Sequence, residues 1–265
     1  MGNGIYYLGP LGSYTHEASL ILKGKKISKQ TISEVFYEVS KNNSKGIVPI
    51  ENSREGPINE TLDNLFKYDN VYVNYEKELN INIVIASNKN IKDFKEIKRI
   101  YSNYYAIQEA KDILLKIDAK EIIQVESTSK AALLASKDKE GAALCSSYAA
   151  KIYKLKILQK NVQDGINITR FIIISNKIKK KGDKTMVFFI VKHKPGSLYN
   201  VLKVFYKNNI NLTMIYSRPL KEKIWNYYFY VEFEGNLIQK NIKRALNSIS
   251  AVSENLKIKG SFSKV

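Results

Sequence analysis

Short apolar runs and amphipathic stretches take turns along residues 5–174, and this alternation restricts the fold more than any other feature of the chain. Strand-like runs occur at 5–8, 46–50, 81–86, 98–102, 121–126, 141–145 and 168–174. Helical patterns lie between them, near 15–22, 33–42, 58–67, 104–116, 128–137 and 147–154. Strands separated by helices imply α/β layers. In 104–116 and just beyond, Ala106, Ala110, Ile113, Leu114 and Ile117 fall at three- and four-residue spacings, which predicts one apolar helix face. A polar, charged and aperiodic stretch, N-K-I-K-K-K-G-D-K at 176–184, then reads as a linker. Beyond it the order changes. Strands are expected at 185–191, 210–217, 225–233 and 256–262, with helices at 195–209 and 236–249. That order, βαββαβ, is the ferredoxin-like arrangement.

The chain has 265 residues, enough for one large domain or two to three smaller ones. Its single cysteine, Cys145, excludes an intrachain disulfide. No apolar run approaches the length that spans a bilayer, and residues 5–8 read as a first strand rather than a signal peptide. A soluble cytoplasmic protein is expected. The net charge of +18 comes almost entirely from lysines spread along the chain. Such a surface is a solvated one that steers anionic substrates, not a nucleic-acid footprint. Arginine occurs only five times, at Arg54, Arg99, Arg170, Arg218 and Arg244. These scarce guanidinium groups are the ones to watch where planar contact with a carboxylate is needed.

Polar residues gather where strands end. G-I-V-P-I-E-N-S-R-E-G-P-I-N-E-T-L-D-N-L (46–65) runs from a short strand through Glu51, Asn52, Ser53, Arg54, Glu55 and Gly56 into a helix. Ligands of open α/β sheets sit at such strand ends, although Asn, Ser and Gly also make ordinary caps and turns. Y-L-G-P-L-G-S-Y-T-H-E-A (7–18), E-S-T-S (126–129) and C-S-S (145–147) are similar corners. In I-N-I-T-R-F-I-I-I (166–174), strand alternation puts Asn167 and Thr169 on one face and Arg170 on the other. With two histidines and one cysteine, a His-rich metal site and a Ser-His triad are unsupported. There is no nucleophile elbow, P-loop or dinucleotide fingerprint. Neutral hydroxyls and amides around a cleft suit a reaction with its own driving force, which the protein orients and assists.

The 7–18 and 46–65 stretches together with Q-D-G-I-N-I-T-R-F (163–171) resemble the prephenate dehydratase family. P-G-S-L-Y (195–199) and Y-S-R-P (216–219) are similar to the two signatures of its regulatory ACT domain. The resemblance implies a two-lobed α/β catalytic region over 1–178, similar to periplasmic binding proteins, followed by a linker at 179–184 and an ACT domain over 185–265. Lobe one would hold 1–77 and 160–178, and lobe two 78–159. It implies conversion of prephenate to phenylpyruvate with loss of carbon dioxide and water, in phenylalanine biosynthesis, with no cofactor and no metal. Thr169 would assist the departing hydroxide as the catalytic residue. Asn52, Ser53, Asn167, Thr128 and Ser102 would contact substrate, and Glu51, Glu55 and Arg170 would brace the site. Phenylalanine would act as allosteric effector at Gly196, Ser197, Leu198, Tyr199, Ser217, Arg218 and Pro219 across a subunit interface of a homodimer or homotetramer. Within that loop Arg218 is expected to brace rather than to bind ligand. No nucleic-acid or membrane partner is implied.

Departures accompany the likeness. Ser102-Asn103-Tyr104-Tyr105 stands where many family members have Ser-His-Pro-Gln, and Glu109 stands where a glutamine is usual. Ile83 replaces a hinge histidine, Tyr216 a glutamate and Tyr199 a valine. Arogenate dehydratase, or a non-catalytic amino-acid sensor on the same scaffold, stay open as alternatives.

Overall fold

The alternating runs become strands and helices across residues 4–220 and 225–265, the residues described by this computed structural model. In chain order the elements are β1 (Ile5–Leu8), α1 (Tyr14–Ser19), β2 (Lys26–Lys29), α2 (Ile32–Lys41), β3 (Lys45–Asn52), β4 (Gly56–Pro57), α3 (Asn59–Lys67) and β5 (Tyr72–Asn80). Next come β6 (Ile83–Ser87), β7 (Arg99–Ser102), α4 (Tyr104–Glu109), α5 (Lys111–Ile117), β8 (Glu121–Gln124), α6 (Thr128–Ala135), β9 (Gly141–Ser146), α7 (Ser147–Ile152), β10 (Lys156–Gln159) and β11 (Ile168–Ser175). The C-terminal part adds β12 (Lys184–Ile190), α8 (Ser197–Lys207), β13 (Leu212–Pro219), β14 (Tyr227–Glu234), α9 (Lys240–Val252) and β15 (Asn255–Lys264). Among the described residues no helix is long and apolar enough to cross a membrane.

The chain divides into two compact units and passes between them just before α2 and within β3, β4, β5 and β11. The first holds the residues up to Thr31, then Glu51–Gly56 and Glu78–Phe171. Its larger sheet has the order β10-β6-β9-β7-β8. β6 lies antiparallel to β10 and β9, while β7 runs parallel to β9 and β8. Period-two alternation sorts the side chains onto two faces. Ile83 and Ile85 pack with Ala106, Ile113 and Ile117, whereas Val84 and Ala86 pack with Ala131, Cys145 and Ala149. Ile83, one of the departures, is therefore a core residue, 2% exposed. Burial pushes the Cys145 thiol up to about 12, which keeps it un-ionised and inert at neutral pH. Arg99 clamps Asp138 with two 2.7 Å hydrogen bonds and holds its carboxyl down at about 2.

The amphipathic stretch at 104–116 is two helices rather than one. Ala110 leaves the helical region at φ −127° and ψ 30°, and separates α4 from α5. The apolar spacing survives the break, since Ala106, Ala110, Ile113 and Ile117 all enter the same core. What the break changes is the backbone. The Glu109 carbonyl accepts instead from the Asp164 amide at 2.7 Å, which ties the end of α4 to the segment leading into β11.

The second unit holds Ile32–Ile50, Pro57–Lys77 and the chain from Ile172 onward. Its sheet follows the order β13-β14-β12-β15-β5-β11-β3. The first four strands with α8 and α9 form the βαββαβ module. Val187, Phe189, Val231 and Phe233 face Val201, Phe205, Ala245 and Ile249 of its two helices. On the other sheet face Phe66 of α3 stacks on Tyr228, with ring centroids 4.2 Å apart and planes 8° from parallel. β15 continues past the module and pairs in parallel with β5, Ser263 opposite Tyr75 and Lys264 opposite Glu76. Strands β2, β4, β5 and β10 have no counterpart among the apolar runs of the sequence.

Candidate active site and effector region

Two segments meet at the start of β11. One is the E-N-S-R-E loop after β3, and the other is I-N-I-T-R. Because Asn167 and Thr169 share a strand face, a single amide can reach both. Asn52 Nδ2 donates to Asn167 Oδ1 at 2.6 Å and to Thr169 Oγ1 at 2.9 Å. Asn52 Oδ1 accepts from the backbone amides of Arg54 and Glu55, at 2.9 and 3.1 Å. All the hydrogen-bonding capacity of Asn52 is thereby used inside the protein. Thr169 is 8% exposed, and its oxygen already accepts a hydrogen bond. Its own proton is left to point elsewhere.

Ser53 closes the junction from the backbone side. Its amide donates to the Ile168 carbonyl at 2.8 Å, and its hydroxyl accepts from the Ile168 amide at 2.9 Å. On the opposite strand face Arg170 donates to Glu51 Oε2 at 2.6 Å. Of the two candidate carboxylates, Glu51 makes the ion pair, and Glu55 contributes its amide to Asn52.

Glu109 enters from the end of α4. Asn167 Nδ2 donates to Glu109 Oε1 at 2.6 Å, and Arg54 Nη1 lies 3.7 Å from the same oxygen. Arg54 is further held by its Nε, which donates to the Ile166 carbonyl at 3.1 Å. Its guanidinium lies against Gly165, which has φ +83°. A Cβ at Gly165 would come within 3.0 Å of Arg54 Nη2, so both the turn and the guanidinium favour glycine there. Glu109 is 7% exposed, and its Oε2 is buried with no hydrogen-bond partner. Sequence reasoning names Arg54 only as a member of the polar loop after the 46–50 strand and Glu109 only as a departure, and gives neither a role in the site. The signals were the scarcity of arginine and the carboxylate standing where an amide is usual.

Two expected contacts do not join this cluster by any hydrogen bond. Ser102 is fully buried, and its hydroxyl turns to the Leu144 carbonyl at 3.4 Å. Thr128 is half-buried in the first turn of α6. Most of the other corner hydroxyls are helix caps. Ser13, Ser127 and Ser146 accept from the amides of His16, Lys130 and Ala149. Ser129 instead donates to the Leu11 carbonyl, which also accepts from Tyr153. His16 stacks on Tyr7, and burial lowers its pKa. Its Nδ1 accepts from the Gly12 amide at 3.1 Å, so the neutral ring carries its proton on Nε2.

In the βαββαβ module Gly196 opens α8 with φ +80°. Ser197 and Leu198 line a groove of about 380 Å³ together with Tyr227 and Phe229 of β14. Tyr199 is exposed. Residues 216–219, expected as a loop, complete strand β13, with Ser217 opposite Phe229 and Pro219 opposite Tyr227. Arg218 turns to α3, where Nε and Nη2 donate to the two Asp63 oxygens at 3.1 and 2.9 Å. The Tyr228 hydroxyl donates to Asp63 as well, at 2.6 Å.

Comparison with known proteins fits this architecture. A prephenate dehydratase family profile matches residues 5–179, and an ACT domain profile matches 185–251. The prephenate dehydratase of Methanocaldococcus jannaschii is 36% identical over 264 residues, 94% of either chain. The bifunctional chorismate mutase/prephenate dehydratase of Aquifex aeolicus is 38% identical over 268 residues, which is 98% of this chain and 73% of the relative. A crystal structure of prephenate dehydratase in complex with L-Phe from Arthrobacter aurescens superposes with a TM-score of 0.89 at 25% identity, covering 98% of this chain and 90% of that one. The present chain belongs to the prephenate dehydratase family of lyases and carries a C-terminal ACT domain.

Proposed function

We propose that this chain converts prephenate to phenylpyruvate in phenylalanine biosynthesis, with Thr169 at the departing hydroxyl. The observation that carries the reading is the Asn52–Thr169 hydrogen bond. A threonine whose oxygen is already an acceptor presents its proton outward, at a strand mouth fixed by Ser53. In the reaction the bond to the ring carboxylate breaks and carbon dioxide leaves. The electron pair completes the aromatic ring as the ring C–O bond breaks, and hydroxide takes up a proton to leave as water. No redox partner is needed. An unperturbed hydroxyl is a weak acid, so Thr169 acts by hydrogen bonding to the developing hydroxide rather than by full proton transfer. Asn52 acts through Thr169 and Asn167, and Arg170 with Glu51 holds the strand mouth from behind. Ser53 and Asn167 are the remaining candidates for direct substrate contact.

The same reading makes phenylalanine a feedback effector at the Gly196–Tyr199 turn and the Ser217–Pro219 strand end, in a cytoplasmic homodimer or homotetramer. The L-Phe complex of the Arthrobacter aurescens relative supports that effector. Purified protein should form phenylpyruvate from prephenate, followed by its absorbance in base, and phenylalanine should inhibit. No product at high enzyme concentration sinks the reading, and phenylalanine binding without turnover would leave an amino-acid sensor. Gly196→Ala puts a Cβ on a left-handed residue that has open space around it, so strain rather than collision is expected. Inhibition by phenylalanine should weaken about fivefold or more, given roughly 1 kcal/mol of strain at the turn. Unchanged inhibition would remove the effector from this turn.

A further inference from the structure

The loop that follows Ile50 is closed at its base by two hydrogen bonds. Residues 51–57 lie between Ile50 of β3 and Ile58, and the Ile58 amide donates to the Ile50 carbonyl at 2.8 Å. Three residues on, in the first turn of α3, Thr61 is fully buried, and its hydroxyl donates to the Pro49 carbonyl at 2.5 Å.

Both bonds fall where strand and helix are short of partners. Pro49 has no amide, so β3 loses a ladder donor immediately before the loop. α3 begins after Ile58, an apolar residue whose side chain caps none of the free amides of the first turn. A threonine hydroxyl inside a helix commonly bonds a carbonyl of the preceding turn. The Thr61 hydroxyl instead reaches 12 positions back, to the strand. What it fixes there matters to the chemistry. Asn52 lies three residues beyond Pro49 in the same strand and donates to Thr169 at 2.9 Å. A misplacement of about 1 Å in groups that serve a reaction can cost on the order of 10²-fold in rate.

Resting on the dehydratase reading above, we propose that Thr61 is a positioning residue for the reaction: its hydroxyl sets the end of β3 so that Asn52 holds Thr169 in its working orientation. Thr61 itself touches no substrate. It acts through Asn52 and Thr169, so its contribution belongs to turnover, where Thr169 meets the developing hydroxide, and not to substrate binding.

Thr61→Val keeps the shape of the side chain and removes the hydroxyl. In that variant kcat for prephenate should fall about tenfold, with KM changed less than about threefold. Thr61→Ser returns the donor and should bring kcat back to within about twofold of wild type. In a Thr169→Val background the same Thr61→Val change should lower kcat by less than about twofold, because residues that act as one unit are not additive. Melting curves set an assay temperature at which every variant is folded. If Thr61→Val does not fold, Thr61→Cys, whose thiol is a weak donor, takes its place in the same comparison. A wild-type kcat in the variant overturns the proposal. So does a serine that restores nothing, or a tenfold loss that persists in the Thr169→Val background, since Thr61 would then support the fold alone. A wild type inactive on prephenate would instead overturn the dehydratase reading itself.

Discussion

Thr169→Val should lower kcat for prephenate by about 10²–10³-fold, the usual effect of removing one positioned hydrogen-bond donor from a developing anion. KM should move less than about threefold, because the lost interaction grows only as the C–O bond breaks. Valine matches threonine in shape, so the strand should persist. Asn52 Nδ2 keeps its second acceptor, Asn167 Oδ1, at 2.6 Å. The stability cost should therefore be only about 1 kcal/mol. Thr169→Ser returns the hydroxyl and should recover most of the activity. Steady-state kinetics on the three proteins decide the matter. If valine leaves kcat within a few-fold of wild type, the departing hydroxyl is elsewhere.

The second large effect is expected at Asp63, far along the chain from Thr169 in sequence and in the other unit. Its carboxylate accepts two hydrogen bonds from Arg218 and one from Tyr228, with the side chains of Asp63 and Arg218 only 20% and 19% exposed. Hydrogen bonding to this carboxylate raises the Arg218 pKa, while burial and the same carboxylate raise that of Tyr228. Asp63→Asn removes the charge and turns one acceptor oxygen into a donor facing donors. A half-buried arginine is left without its counter-ion, at a cost of about 2–4 kcal/mol. For a chain of this size the melting temperature should drop by roughly 5–10 °C. Arg218→Gln alone should cost less, and the double variant should be less than additive, since the two residues share one interaction. A melting temperature unchanged within a degree or two would mean that the clasp contributes nothing to docking α3 on the ACT sheet.

Where hydrophobic period and structure agree, the apolar residues decide the fold. The βαββαβ order is legible because its strands are rich in Phe, Tyr, Val and Ile, and its helices have clean apolar faces. β5 is not, because Y-V-N-Y-E-K-E-L-N alternates weakly and carries three charges. It becomes a strand because β11 and β15 supply partners on either side. Tertiary pairing overrides propensity there. The break at Ala110 is invisible for a related reason: the core wants the helical spacing on both sides of it. At the break the Glu109 carbonyl accepts from the Asp164 amide, a partner far along the chain that local periodicity does not reveal.

The chemistry of the site is legible to a similar depth. Period-two alternation alone separates Asn167 and Thr169 from Arg170. The scarcity of arginine also carries meaning, since Arg54, Arg99, Arg170 and Arg218 each lie within ion-pair range of a carboxylate. Their partners cannot be read from the sequence. Glu109 and Asn167 are 58 positions apart, and Arg218 and Asp63 are 155 apart. Such pairs depend on the fold being complete.

The pairing of β15 with β5 has a consequence in time. Residues 72–80 leave the ribosome long before residues 255–264, and Lys259 reaches back 191 positions to the Tyr68 carbonyl. Until β15 arrives, β5 waits with one edge bare and with Glu76, only 3% exposed in the finished chain, open to water. Contacts that close such long loops form late and slowly. The ACT module thus supplies the second unit with a strand neighbour for β5, Ser263 opposite Tyr75 and Lys264 opposite Glu76. A truncation that removes the module would leave an unpaired sheet edge prone to aggregation, so loss of regulation and loss of solubility should arrive together.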